Sequence, residues 1–199
     1  MDAAPEVLPS EMVFVHIRII VGMVLGISLA RLVNGVMRYV QHPGREQMYP
    51  IHMGWVLFTF LFIVHFWWFE IALSMLHQWS FSIYLFLICY AGIFAMLASL
   101  LFPDRIDEYG TFKIYFQERR RWFFGILLLM IVLDSVDTVI KGPEYFSKHY
   151  NWDYPLRQGV LALGAIGAMI WKSEKYHAVF VVFAVILQIV WSLTLFEFL

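Results

Sequence analysis

Tyr49-Pro50-Ile51-His52-Met53-Gly54 opens an apolar helix, and nearly the same phrase returns as Tyr154-Pro155-Leu156-Arg157-Gln158-Gly159. Each copy follows another apolar helix with a matching skeleton. The first skeleton reads Gly22, Arg31, Asn34; the second, at identical spacing, reads Gly125, Asp134, Asp137. What changes is charge, from one cation to two carboxylates. The pattern predicts a duplicated membrane unit whose halves meet at a polar centre.

Composition supports lipid as the solvent. The chain has 199 residues, and 61% of them are hydrophobic, above the roughly one half usual for a soluble domain. Its mean hydropathy is +0.72. Exposing that surface to water costs about 25 cal/mol per Å². One cysteine, Cys89, rules out an intrachain disulfide or a Cys-based metal site. A net charge of −1 gives no nucleic-acid signal. The acidic start (Asp2, Glu6, Glu11) is unlike a signal-peptide n-region, so the first apolar stretch reads as a retained helix.

Six segments are near the roughly 20 residues needed to cross the hydrocarbon core: about 13–37, 51–76, 80–102, 122–141, 156–172 and 176–198. The expected fold is an all-α integral membrane protein of six transmembrane helices, one membrane domain over 1–199. Repeat 1 covers about 13–102 and repeat 2 about 122–199, joined by a cytoplasmic loop at 103–121. Pro50 and Pro155 stand where a first-turn proline is tolerated. The Leu76–Ser80 and Lys172–Tyr176 connections imply tight hairpins. Trp55, Trp67, Trp68, Trp79, Trp122, Trp152 and Trp171 lie near predicted ends, as an aromatic belt requires.

Lys and Arg set the orientation. Arg38, Arg45, Arg105, Lys113, Arg119, Arg120, Arg121, Lys172 and Lys175 fall on one side; Arg18, Lys141, Lys148 and Arg157 fall on the other. The bias places both termini on the non-cytoplasmic side, in a bacterial-type inner membrane. Three helices per half then make the repeat inverted, a recurring device in transporters with the site near the midplane.

Ionisable groups at membrane depth are expensive and mark the candidate centre. Arg31 and Asn34 share a face of helix 1. Asp134 and Asp137 share a face of helix 4, beside Ser135 and Thr138. His65 and Glu70 lie in the outer half of helix 2, and Gln188 is near the middle of helix 6; Glu197 is interfacial. One expectation is an Arg31 salt bridge to Asp134 or Asp137. That leaves an acid to spare, which must be protonated, bound to a cation or wet. The leading function is therefore a small channel or transporter for a cation or proton, its ion or small-molecule substrate not specified.

Two other classes stay open. Asp134, Asp137, Glu70 and His65 are ligand types that suit a divalent metal, and acids in an apolar cavity suit a membrane enzyme acting on a lipid or isoprenoid. No phosphate loop or nucleophile elbow accompanies them. An accessory or sensor subunit is the other class, signalled by the short loops and the aromatic helix 2 (Phe58, Phe60, Phe62, Phe66, Trp67, Trp68, Phe69), for which the plainer reading is lipid-facing anchoring. No cofactor is expected: His65 is the one deep histidine and haem between helices needs a pair. The small residues Gly159, Ala162, Gly164, Ala165, Gly167 and Ala168 predict close helix packing. Membrane lipid is the expected partner, and a homo-oligomer would be needed for a wide pore.

Overall fold

The computed structural model describes residues 10–42, 47–76, 78–143, 146–147 and 150–196. Arg45, Lys148 and Glu197 lie outside the described residues, as do Asp2 and Glu6. The fold is all-helical, with no strand among the described residues. Six long helices follow in order: α1 (Ser10–Gln41), α2 (Pro50–Phe69), α3 (Phe81–Leu101), α4 (Phe112–Ile140), α5 (Asp153–Ile170) and α6 (Glu174–Phe196). Five of them, all but α5, are long and apolar enough to cross a membrane. The first half of α5 carries Asp153, Arg157 and Gln158, which keeps it below that mark.

Local chemistry sets the boundaries. Pro50 opens α2 without an orphaned N–H. Ser80 caps α3 by accepting from Ile83 N at 3.2 Å, and Thr111 caps α4 by accepting from Ile114 N at 3.3 Å. Gly142, at φ 94°, ends α4 in the left-handed conformation that favours glycine. Asp153 Oδ1 accepts from Asn151 N and Tyr154 N at the head of α5. Two departures from the expected spans follow. Residues 70–75 leave the α-helix for a 3₁₀ turn. The start of α4 lies ten residues earlier than hydropathy implies, because Thr111 caps a polar first stretch.

The helices then pack into one bundle. α1 lies mainly on α3, α2 on α6, and α4 on both α5 and α3. The halves are not packed alike, since α1 pairs with the third helix of its half and α4 with the second of its own. α2 is the most buried of the five apolar helices and α1 the least. Val15, Ile19, Met23 and Ile27 on α1, and Val179, Val182 and Ile186 on α6, face outward. An apolar exterior of this extent suits lipid.

The interior is aromatic. Trp55 is fully buried among Phe58, Phe123, Phe124 and Phe180, with ring centroids 5.2–5.4 Å away. It therefore belongs to the core and not to the interfacial belt; Trp68, Trp122, Trp152 and Trp171 remain exposed. Phe58, Phe62, Phe66 and Phe69 of α2 are also buried, which corrects their reading as lipid anchors. The small residues of α5 do pack: Ala165 and Ala168 are fully buried, and Gly164 lies under the Phe180 ring.

Antiparallel succession gives the bundle two ends. One holds the α3–α4 loop, the close of α1 and the α5–α6 turn. The other holds the α2–α3 hairpin, the close of α4 and the start of α5.

Candidate functional site

The polar side chains gather toward the second end, in a network spanning α2 to α6. Asp134 is its hub. Its Oδ1 accepts from Tyr90 OH at 3.1 Å, and its Oδ2 accepts from Tyr154 OH at 3.0 Å and from Gln158 Nε2. Thr138 Oγ1 lies 2.9 Å from Tyr154 OH, and Gln158 Nε2 also donates to that hydroxyl at 3.0 Å. Helical spacing explains the convergence. Asp134 and Thr138 are one turn apart on α4, and Tyr154 and Gln158 one turn apart on α5. The second Tyr-Pro motif thus delivers two of its three polar arms, Tyr154 and Gln158, to one carboxylate.

One turn further along α4, Asp137 Oδ2 accepts from Lys141 Nζ. The same ammonium donates to Glu70 Oε1 at 2.9 Å and rests 3.4 Å above the centre of the Phe69 ring. These groups are dry: the Lys141 and Asp137 side chains are 1% and 0% exposed, and Glu70's is 9% exposed. Glu70 Oε2 and Asp137 Oδ1 are buried without a donor among the described residues.

A second buried cation completes the network. Arg157, 3% exposed, donates from Nη2 to Gln188 Oε1 at 2.5 Å and lies over the Trp191 ring at 5.1 Å. Gln188 Nε2 donates onward to Ser192 Oγ at 3.2 Å, and that hydroxyl is 3.4 Å from His65 Nδ1. His65 is stacked on Phe69 and buried. Beside the Asp134 hub lies a cavity of about 520 Å³ lined by Ser135, Thr138, Tyr154 and Gln158 with Val139 and Phe146. It gives the hub's hydroxyl and amide groups a route to the outside of the bundle.

The structure brings together Asp134, Asp137, Glu70 and His65, and leaves out Arg31 and Asn34. Arg31 donates to Asp104 Oδ1 at 2.7 Å and to the Phe102 carbonyl at 2.9 Å, at the loop end. The expected bridge to Asp134 or Asp137 is absent for a geometric reason. Asp134 lies 22 residues into α4 from Phe112, roughly 33 Å from that end at 1.5 Å per residue. Arg31 instead snorkels to the loop. Asn34 is exposed on the outer face of α1. The charge partners are Lys141 and Arg157, which the sequence reading counted as loop cations. The i,i+4 spacing of Asp137 and Lys141 was the available signal for the first. Tyr90 was hidden in an otherwise apolar run.

The two motif copies also differ. His52 is buried against Leu101 O at 2.6 Å and three phenylalanine rings. Tyr49 sits under Lys113 at 5.9 Å, and burial, followed by the nearby Glu174 carboxylate, pushes its hydroxyl up to about 12. Nothing there corresponds to the Tyr154–Asp134 contact. Nor do the acids form a metal cage: among the described residues no three His, Cys, Asp or Glu side chains are grouped as ligands. Asp134 and Asp137 turn to different partners, the first to hydroxyls and an amide, the second to an ammonium.

By helix length and composition this is a multi-pass membrane protein. The chain matches no protein family, no curated protein and no solved structure.

Proposed function

We propose that the protein is a small proton- or cation-translocating membrane protein whose working centre is the Asp134 network. The observation that carries this reading is a count of buried charge. Asp134, Asp137 and Glu70 face Lys141 and Arg157, so three acids meet two cations. Ionising all three would leave one net negative charge in a low-dielectric interior, a costly state. One carboxyl therefore holds a proton, or a cation stands in for it. A site that must hold one exchangeable positive charge is what a proton or cation pathway needs.

The surroundings of Asp134 favour a proton first. Thr138, Tyr154, Asp134 and Tyr90 form a continuous hydroxyl–carboxylate chain, and the cavity reaches its Thr138 and Tyr154 members. Hydroxyls that both donate and accept can pass a proton without moving far. Asp137, Glu70 and Lys141 act beside the chain as the charge store that sets how readily Asp134 holds its proton.

In the same reading the halves derive from an inverted three-plus-three duplication, and both termini face away from the cytoplasm. Lys141 and Arg157, the cations that weakened the orientation bias, are buried side chains and not loop charges. Removing them from the loop count sharpens the Lys/Arg asymmetry.

Flux tests the proposal. Purified protein in liposomes is assayed for proton, potassium, sodium and chloride leak, with Asp134→Asn as the paired variant. The expected result is proton or cation flux that drops at least about tenfold in a folded Asp134→Asn protein, the scale of one lost charge-assisted contact. No flux from intact wild-type protein ends the reading and turns attention to a lipid-acting enzyme or an accessory subunit.

A further inference from the structure

At the opposite end of the bundle, a second cavity of about 530 Å³ opens between the start of α4 and the α5–α6 turn. The geometry points to a binding site there for a phosphate-bearing anion, an anionic lipid headgroup in the first instance. Arg120, Arg121, Lys172 and His177 line it, and Glu118 is the carboxylate that faces them.

The cations at this end divide into two groups. Arg119 donates to Tyr109 OH at 2.8 Å and lies over that ring, and Lys113 pairs with Glu174 at 2.9 Å. Both are engaged. Arg121 and Lys172 take part in no ion pair among the described residues. Arg120 is 8% exposed, and its one hydrogen bond runs from Nη1 to Gln117 O at 3.0 Å. Its Nε is buried with no acceptor among the described residues. A guanidinium nitrogen buried to this degree normally has an acceptor. His177 is different: Nε2 donates to Trp171 O at 3.0 Å, so its buried Nδ1 is an acceptor and offers nothing to an anion. The cavity therefore has surplus positive charge at its mouth, from exposed Arg121 and Lys172, and a largely buried guanidinium, that of Arg120, in its wall.

Its depth favours a lipid over a free ion. Trp122 and Trp171, next in sequence to Arg121 and Lys172, are 67% and 56% exposed. Exposed tryptophans mark the headgroup level of a bilayer. Basic pockets between helices at that level are suited to anionic headgroups. The volume lies in the range of small-molecule sites.

The test uses the full chain in detergent. Lipid occupancy is read by native mass spectrometry while phosphatidylglycerol, phosphatidylcholine or inorganic phosphate is titrated. Thermal unfolding confirms that each variant is folded. Phosphatidylglycerol is expected to bind in preference to phosphatidylcholine. Arg121→Gln with Lys172→Gln, both exposed positions, should weaken it about thirtyfold, from the loss of two headgroup-level charges. Glu118→Gln should tighten it, and Arg18→Gln at the far end should leave it unchanged. If inorganic phosphate binds with the same dependence on Arg121 and Lys172 while phosphatidylglycerol does not, the anion site stands and its ligand is soluble. Equal binding of the two lipids together with no phosphate binding, or wild-type phosphatidylglycerol binding by the folded double variant, overturns the proposal.

Discussion

Lys141 Nζ lies 2.9 Å from Glu70 Oε1, although the two residues are 71 positions apart in the chain. The contact fastens the last turn of α4 to the 3₁₀ turn that ends α2. Asp137 and the face of Phe69 close the remaining sides of the ammonium. Lys141 is thus a buried cross-link between two carboxylates and an aromatic face.

Removing that cation strands two acids. Lys141→Met should lower stability by about 3–5 kcal/mol, the usual cost of breaking a buried pair from one side. Adding Glu70→Gln and Asp137→Asn should restore most of the loss, because the stranded charges are then gone. Thermal unfolding in detergent reads both. A Lys141→Met protein that melts with wild type would mean the cross-link carries no stability.

Arg31 should behave quite differently. Its partner Asp104 is 87% exposed and its own side chain one-third exposed, so the pair is screened and worth at most about 1 kcal/mol. Asp134 accepts three buried hydrogen bonds, and Asp134→Asn should cost about 1.5–3 kcal/mol. The expected order of melting temperatures is wild type, then Arg31→Gln, then Asp134→Asn. Reversal of the two variants would show that Arg31 reaches the buried network after all.

How the sequence divides between legible and hidden follows from which physics each residue obeys. The long apolar runs and the Pro50 start are local signals, and the helices largely follow them. Asp134, Asp137 and Glu70 stood out because a carboxylate in an apolar run has few explanations. Lys141 and Arg157 did not, because a cation at a predicted helix end looks like a snorkelling loop residue. Only tertiary packing turns it inward. Arg31 misled for the converse reason: its place inside the 13–37 span made it look membrane-embedded, whereas its long side chain reaches Phe102 O and Asp104 of the α3–α4 loop. The early start of α4 was missed because an apolar window cannot see a polar turn capped by Thr111.

Glycine offers a test of the packing between helices. A Cβ at Gly35 would overlap the Phe102 ring. That ring is held between His52 and Phe112, with centroids 5.2 and 5.9 Å away. Gly35→Ala should therefore destabilise by about 1–3 kcal/mol, the cost of overpacking. At Gly125 the nearest atom is the flexible Met169 Cε at 4.0 Å. There alanine fits, and its better helix propensity should raise stability by up to about 1 kcal/mol. Opposite signs are expected in unfolding midpoints; a stabilising Gly35→Ala would place α1 further from Phe102, and a destabilising Gly125→Ala would mean that no free space lies beside Met169.

Topology can be read without touching the network. Met48 and Trp152 flank the two Tyr-Pro motifs and are 58% and 88% exposed, whereas Tyr154 itself is buried against Tyr150 and Trp191. Single cysteines at Met48 and Trp152, in a Cys89→Ser background, report the side on which each motif starts its helix. An odd number of crossings between them requires labelling from opposite sides, with Met48→Cys protected and Trp152→Cys reactive toward a membrane-impermeant reagent in right-side-out vesicles. Same-side labelling would mean that one helix between them fails to cross. All three helices between them are apolar enough to span, so a failure of any one of them would remove the inverted relation between the halves. Opposite-side labelling with Met48→Cys reactive would keep six crossings and reverse the assigned orientation, placing the Arg120 cavity in the outer leaflet and the Asp134 cavity on the cytoplasmic side.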